Sequence, residues 1–264
     1  MSNNNKSNLE KLIKTIEILR SPEGCPWDRE QDHKSLKKYL LNESYELLDA
    51  IDTMDDRLLC EELGDVLLQV ILHAQIAKES SKFDIEDVAK KINDKLIHRH
   101  PHVFSDTPVK DSAEVVENWE QIKSKEKPER QSALDGIPNN FPALMRADNI
   151  SKKAVRVGFE WPDIDMLWDT LFSEIDEFKQ AAASGNKDRI QDEIGDMLFT
   201  IVNIARWHKV DAEMALQNTC KKFIKRFHMM ETTSPVDLSK LSQPELEELW
   251  QKAKKELQKR EQND

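Results

Sequence analysis

The chain has 264 residues, room for two domains of ordinary size or one large one. Its net charge of −11 speaks against sequence-independent binding to nucleic acid, where cations must neutralise phosphates. With 38% hydrophobic and 34% charged residues, 6 Gly and 2 Tyr, the composition favours helices with one apolar stripe and weighs against strands.

The first residues, MSNNNKSN, are polar and lack the apolar core of a signal peptide. A helix is expected from Leu9 to Leu19, after which Pro22, Gly24 and Pro26 break the chain. Leu36, Leu40, Leu47 and Ile51 fall at helical spacing and predict a helix over 35–51. A polar turn follows, then a long helix over 58–78 with Leu59, Leu63, Val66, Val70 and Leu72 facing inward. Asp84 is a suitable N-cap for the next helix, which Pro101 closes, and a further helical stretch covers 114–125. The charged segment carrying Pro128, Pro138 and Pro142 reads as a linker, with a helix over 144–155. Helical patterns return over 167–182 and 190–208, and again from the cap Asp211 to about Met230; after Pro244 comes a charged helix or a frayed tail. No apolar run approaches the length of a membrane span. Cys25, Cys60 and Cys220 are too few and too scattered for a disulfide framework and read as free thiols, which predicts a cytoplasmic protein with no membrane partner.

The strongest signal is a repeat. Glu43, Glu46, Glu62 and Asp65 recur as Glu174, Glu177, Glu193 and Asp196, each 131 residues later. The surrounding text agrees, EELGDVLLQVI (61–71) against DEIGDMLFTIV (192–202). Lys95 and Arg99 match Lys222 and Arg226 once a four-residue gap is allowed, and Trp119 and Lys123 match Trp250 and Lys254. Gly24 and Trp27 resemble Gly158 and Trp161. The chain therefore reads as all-α, two tandem helical-bundle modules: residues 1–125, a linker over 126–155, and residues 156–264.

Carboxylates three apart share a helix face, so Glu43 with Glu46, and Glu62 with Asp65, project together. Two helices joined by a short turn pack side by side and bring all four to one patch. Four like charges so close call for a cation, and oxygen-only ligands favour a hard ion such as Mg²⁺, which keeps waters and takes substrate phosphates as further ligands. A single ExxE is usually a solvated surface; the repeated quartet asks for a shared cause. A di-iron bundle needs paired Glu-x-x-His motifs, and Glu30–His33 has no counterpart in the second copy. Lys222 with Arg226, and Lys95 with Arg99, lie four apart and suit phosphate oxygens, or else form surface pairs. Trp119 and Trp250 offer faces for a base, or anchor terminal helices to the core. No glycine-rich phosphate loop is present.

These motifs carry a family resemblance. GCPWDREQ (24–31), NESYELLDAI (42–51), EELGDVLLQV (61–70) and RHPHVF (99–104) closely resemble the MazG family of nucleoside triphosphate pyrophosphohydrolases. RVGFEW (156–161), SEIDE (173–177), DEIGD (192–196) and NIARW (203–207) look like the second module of its tandem members. The resemblance implies an all-α bundle assembled as a homodimer. It implies hydrolysis of nucleoside triphosphates to monophosphate and pyrophosphate, broad in base and serving nucleotide-pool house-cleaning. It implies Mg²⁺, with Mn²⁺ as a substitute, on Glu174, Glu177, Glu193 and Asp196 and on Glu43, Glu46, Glu62 and Asp65. The second module is then the principal catalytic one, with Lys222, Arg226 and Trp250 as nucleotide contacts, mirrored by Lys95 and Arg99 in the repeat; by position, either Glu177 or Glu193 is expected to orient or deprotonate the attacking water. The leading Glu often found before ExxE is Asn42 in one copy and Ser173 in the other, which bears on the number of metal ions.

Overall fold

The computed structural model describes residues 7–105, 107–126 and 131–261. The chain folds as two units, 1–128 and 129–264. All regular structure among the described residues is helical.

The first unit contains α1 (Asn8–Leu19), α2 (Pro26–Glu30), α3 (Lys37–Thr53), α4 (Asp56–Glu79), α5 (Ile85–Arg99), α6 (Pro101–Phe104) and α7 (Ser112–Lys125). Ser7 opens α1 with a capping box to Glu10, and Asp84 opens α5 with one to Asp87, so orphan backbone donors are met at both starts. Gly24 lies where the chain doubles back after α1; a Cβ there would sit 2.3 Å from the carbonyl oxygens of Ile18 and Leu19, so only glycine fits. The short helices α2 and α6 are additions to the elements that periodicity predicts. Each begins at a proline, whose fixed φ starts a helical turn as readily as it ends the one before. The core is Ile16 of α1, Leu36, and Ile71, Leu72 and Ile76 of α4, with Leu12, Ile13, Tyr39 and Leu68 packed against it.

The second unit contains α8 (Ala143–Arg156), α9 (Ile164–Ser184), α10 (Lys187–Trp207), α11 (Ala212–Thr233), a 3₁₀ turn (Leu238–Lys240) and α12 (Gln243–Glu261). The sequence places α8 in a linker; in the structure it packs on α10 and α11, as α1 packs on α4. Its buried Ser151 hydroxyl donates to Asn203 Oδ1 of α10, and Asn203 is fully buried. Asn203 stands where the first copy has Leu72, so the second core closes around a hydrogen-bonded polar pair where the first is apolar. The charged stretch after Pro244 is helical and packs on α11 through residues such as the buried Ala253.

One expectation about faces is corrected. Leu63 and Val70 do not point inward: they are 51% and 38% exposed, while Gln69, Ile71 and Leu72 are buried. The helix α4 carries two apolar stripes, and only one meets the core of its own unit. The same holds for α10, where Ile194, Leu198 and Ile201 are exposed at the positions matching Leu63, Leu67 and Val70.

Candidate active site

Each carboxylate set sits on a pair of packed helices, α3 with α4 and α9 with α10. The turns between them are built alike. Met54 ends α3 in the left-handed region at φ 54°, and Gly185 ends α9 at φ 69°. The next residue caps the following helix: the Asp55 carboxylate accepts from the backbone N–H groups of Arg57 and Leu58, and the Asn186 side chain accepts from those of Asp188 and Arg189. A left-handed residue followed by an N-cap reverses the chain in two residues and fixes the register of one helix on the other. That register sets each ExxE opposite its ExxD.

In the first module Glu43, Glu62 and Asp65 converge, each offering an oxygen within 4.8 Å of the others. In the second the converging trio is Glu174, Glu177 and Glu193. The fourth member stays in electrostatic reach: Glu46 acts on Glu43 and Glu62, and Asp196 acts on Glu174. Burial, then repulsion by Glu46 and Asp65, raises the Glu43 and Glu62 carboxyls above the ordinary range. Burial, then repulsion led by Asp196, does the same to Glu174. Glu62 Oε2 is sealed from solvent and has no hydrogen-bond partner among the described residues. A shielded, unpaired oxygen among mutually repelling carboxylates could take a cation as its partner, and the all-oxygen donor set suits a hard divalent ion. Ser173, which stands where a leading Glu is often found, donates its hydroxyl to Glu177 Oε1 at 3.2 Å and so orients that carboxylate.

In the second module the predicted cations cluster around one aromatic ring. The Arg226 guanidinium lies over the Trp250 ring at 5.6 Å, Phe223 packs on the same ring at 4.9 Å, and Lys222 and Arg226 line one small cavity with Lys225 and Leu257. In the first module Arg99 lies over Trp119 at 5.1 Å, while Lys95 is exposed on α5. Arg99 is bound by Glu126, a residue that no motif points to. Among the described residues no ion pair joins these cations to the carboxylates. Burial first, and neighbouring carboxylates second, raise Glu43, Glu62 and Glu174. The helix-end histidines have protein partners of their own: His98 meets Glu126, and His100 packs edge-on against Trp119.

Known proteins share these sequence motifs. The model of the MazG nucleotide pyrophosphohydrolase domain matches twice, over residues 31–104 and 164–230, so each match spans one carboxylate hairpin. The chain belongs to the MazG family. It is 46% identical to the nucleoside triphosphate pyrophosphohydrolase/pyrophosphatase MazG of Thermotoga maritima, over 93% of this chain and 95% of that one. It is 41% identical to the nucleoside triphosphate pyrophosphohydrolase of Escherichia coli, over 94% and 97%. It is also 45% identical to the uncharacterized protein YabN of Bacillus subtilis, over 90% of this chain and 50% of that protein. Membership makes this MazG chain an enzyme, a pyrophosphohydrolase with two copies of the family's domain.

Proposed function

We propose that this MazG protein hydrolyses nucleoside triphosphates to monophosphate and pyrophosphate with Mg²⁺, accepting Mn²⁺ in its place, and that the second module carries most of the turnover. The observation that supports it is the convergence of Glu174, Glu177 and Glu193 on one point, joined to the activity named for its relatives. Glu174, Glu177, Glu193 and Asp196 would hold the ion, with Glu43, Glu46, Glu62 and Asp65 as the first-module set. Bound Mg²⁺ would neutralise the charge that develops on phosphate oxygens. Glu193 is buried and Glu177 is steadied by Ser173, so either can hold the attacking water and take its proton as the α–β phosphate bridge opens. Lys222 and Arg226 grip phosphate oxygens, and Trp250 offers its face to the base. Stacking reads no base edge, which supports broad base use and a house-cleaning role.

A homodimer belongs to the same reading. Leu63, Leu67 and Val70 on α4, with Leu41 on α3, are exposed beside the first carboxylates. Ile194, Leu198 and Ile201 on α10, with Phe172 on α9, repeat that patch 131 residues later. Contiguous apolar stripes of this kind mark an interface, and a second copy docked there would bring further side chains beside each carboxylate set. The free cysteines Cys25, Cys60 and Cys220 agree with a cytoplasmic setting. Among the described residues no helix is long and apolar enough to cross a membrane.

The deciding experiment incubates the protein with a panel of triphosphates and Mg²⁺ and identifies the products. Monophosphate plus pyrophosphate is expected; diphosphate plus phosphate would overturn the reading. Sedimentation at micromolar concentration should give a dimer, and a monomer there would remove the second copy from the site.

A further inference from the structure

The two modules keep the same arginine and tryptophan at the cation end but differ in the residue that meets the arginine. Arg99 and Arg226 are counterparts, as are Trp119 and Trp250, and each arginine lies over its own tryptophan. Seven residues beyond each tryptophan the modules part company: the first has Glu126, the second Leu257. Leu257 lines the small cavity that holds Lys222, Lys225 and Arg226, and Arg226 makes no ion pair among the described residues. Glu126 instead takes hold of Arg99. Arg99 Nε donates to Glu126 Oε1 at 3.2 Å, and the terminal Nη2 donates to Oε2. His98 Nδ1 lies 3.1 Å from the same Oε1. The Arg99 side chain is left only 8% exposed.

A carboxylate that engages a guanidinium through two parallel bonds uses the donors that a phosphate group would use. We propose that Glu126 is a built-in occupant of the first module's phosphate contact: it holds Arg99 and sets that module's affinity for nucleoside triphosphate below that of the second. This inference rests on the reading of Arg99 and Arg226 as phosphate contacts. The competing anion is tethered to the same unit, so a triphosphate meets it at a high effective concentration. In the second module the equivalent side chain is an uncharged leucine, and a phosphate there displaces nothing anionic. The Arg99 hydrogen bond, aided by His98, depresses the Glu126 carboxyl to about 2, so the occupant stays ionised through the neutral range.

The test uses the full chain. On a Glu193→Gln background, which removes turnover by the second module, Glu126→Leu is compared with its parent. Calorimetry with Mg²⁺ and a non-hydrolysable ATP analogue reads binding at the first module, and thermal unfolding reads stability. Glu126→Leu should tighten first-module binding by about tenfold or more, and Glu126→Asp, which keeps the anion, should give no gain. The reciprocal change, Leu257→Glu in the otherwise unaltered protein, should raise KM for ATP by about tenfold with a smaller effect on kcat. A Glu126 that only pins α5 to α7 predicts lower stability in Glu126→Leu with no gain in binding, and that result overturns the proposal. Should Glu126→Leu not fold, Leu257→Glu decides: an unchanged KM overturns the proposal. A parent protein with no triphosphate turnover would sink the underlying reading, whereas an active parent with both variants silent sinks this inference alone.

Discussion

In the first module the carboxylate helices are joined through Met54 and Asp55, in the second through Gly185 and Asn186, and both turns place an αL residue before a side-chain cap. At the cation ends the modules diverge: Arg99 is closed in by Glu126, while Arg226 shares a cavity with Leu257. The carboxylate hairpin is held by geometry, since a register slip would scatter all four carboxylates at once. The cation end is held by single contacts, so one substitution can retune it and leave the fold intact. A duplicated site can thus keep its carboxylate end in both copies while the surroundings of its arginines drift apart.

The largest expected effect separates the carboxylate sets. Glu193→Gln should lower steady-state pyrophosphate release by about a hundredfold or more, the scale of losing a positioned acid–base group. The matching Glu62→Gln should remove no more than about half of it, because turnover is assigned chiefly to the second module. Equal losses from the two substitutions would erase the proposed inequality.

The next effect is on stability. Four carboxylates that repel when empty should gain from an ion and its phosphate ligand together. Saturation of a site at about 100 times Kd adds about 2.7 kcal/mol to apparent stability. Thermal unfolding should therefore rise with Mg²⁺ plus a non-hydrolysable triphosphate and fall back with a chelator. The gain should disappear in Glu174→Gln/Glu193→Gln and largely survive in Glu43→Gln/Glu62→Gln. A shift that the second-module pair leaves intact would place tight binding in the first module.

A smaller effect is expected at the arginines. Arg226→Ala should raise KM for triphosphate by about tenfold, the worth of one good phosphate contact. Arg99→Ala should change KM by less than about twofold, because its donors are already taken. The difference should persist at any pH near neutrality. Glu126 has its folded value lowered to about 2, so the pair contributes fully above the unfolded carboxyl value, about 4.3. That contribution is lost only as pH falls through about 2. KM profiles of the two variants between about pH 6 and about pH 9 should run parallel, and convergence would show that the Glu126 pair opens there.

The carboxylates are legible in the sequence because converging side chains on a helical hairpin demand fixed spacing, and spacing is what a sequence records. Arg226 and Trp250 are legible for the same reason, one helical turn and one repeat length placing them. Glu126 is not, because an acidic residue in a charged segment looks like solvated surface. Its one signal is that the aligned residue is Leu257, and this carries meaning only once Arg99 is seen to need a partner. Leu63 and Val70 mislead because periodicity marks an apolar face without saying whether it meets the chain's own core or another surface. The helix α8 is legible as a helix, but its place against α10 turns on a buried Ser151–Asn203 hydrogen bond that no apolar pattern announces.

The smallest effect tests the likeness of the two modules. Met54 occupies the left-handed region at φ 54° and leaves its side chain 90% exposed, so it gains nothing by burial to offset the conformation. A non-glycine residue there costs about 1–2 kcal/mol, because its Cβ crowds the following carbonyl. The second module avoids that cost with Gly185 at the same point of the same turn. Met54→Gly should therefore stabilise the first module, by less than the full strain because glycine also gains freedom in the unfolded chain. A net gain of about 0.5–1 kcal/mol is expected, read from denaturant unfolding. The reverse change, Gly185→Met, should destabilise the second module by a similar amount. Turnover should follow neither change closely, because an αL residue ahead of the Asp55 or Asn186 cap preserves the register in both. A Met54→Gly protein that loses stability would mean that the methionine holds the turn through a contact of its own, and the two hairpins would then be alike in outline but not in cause.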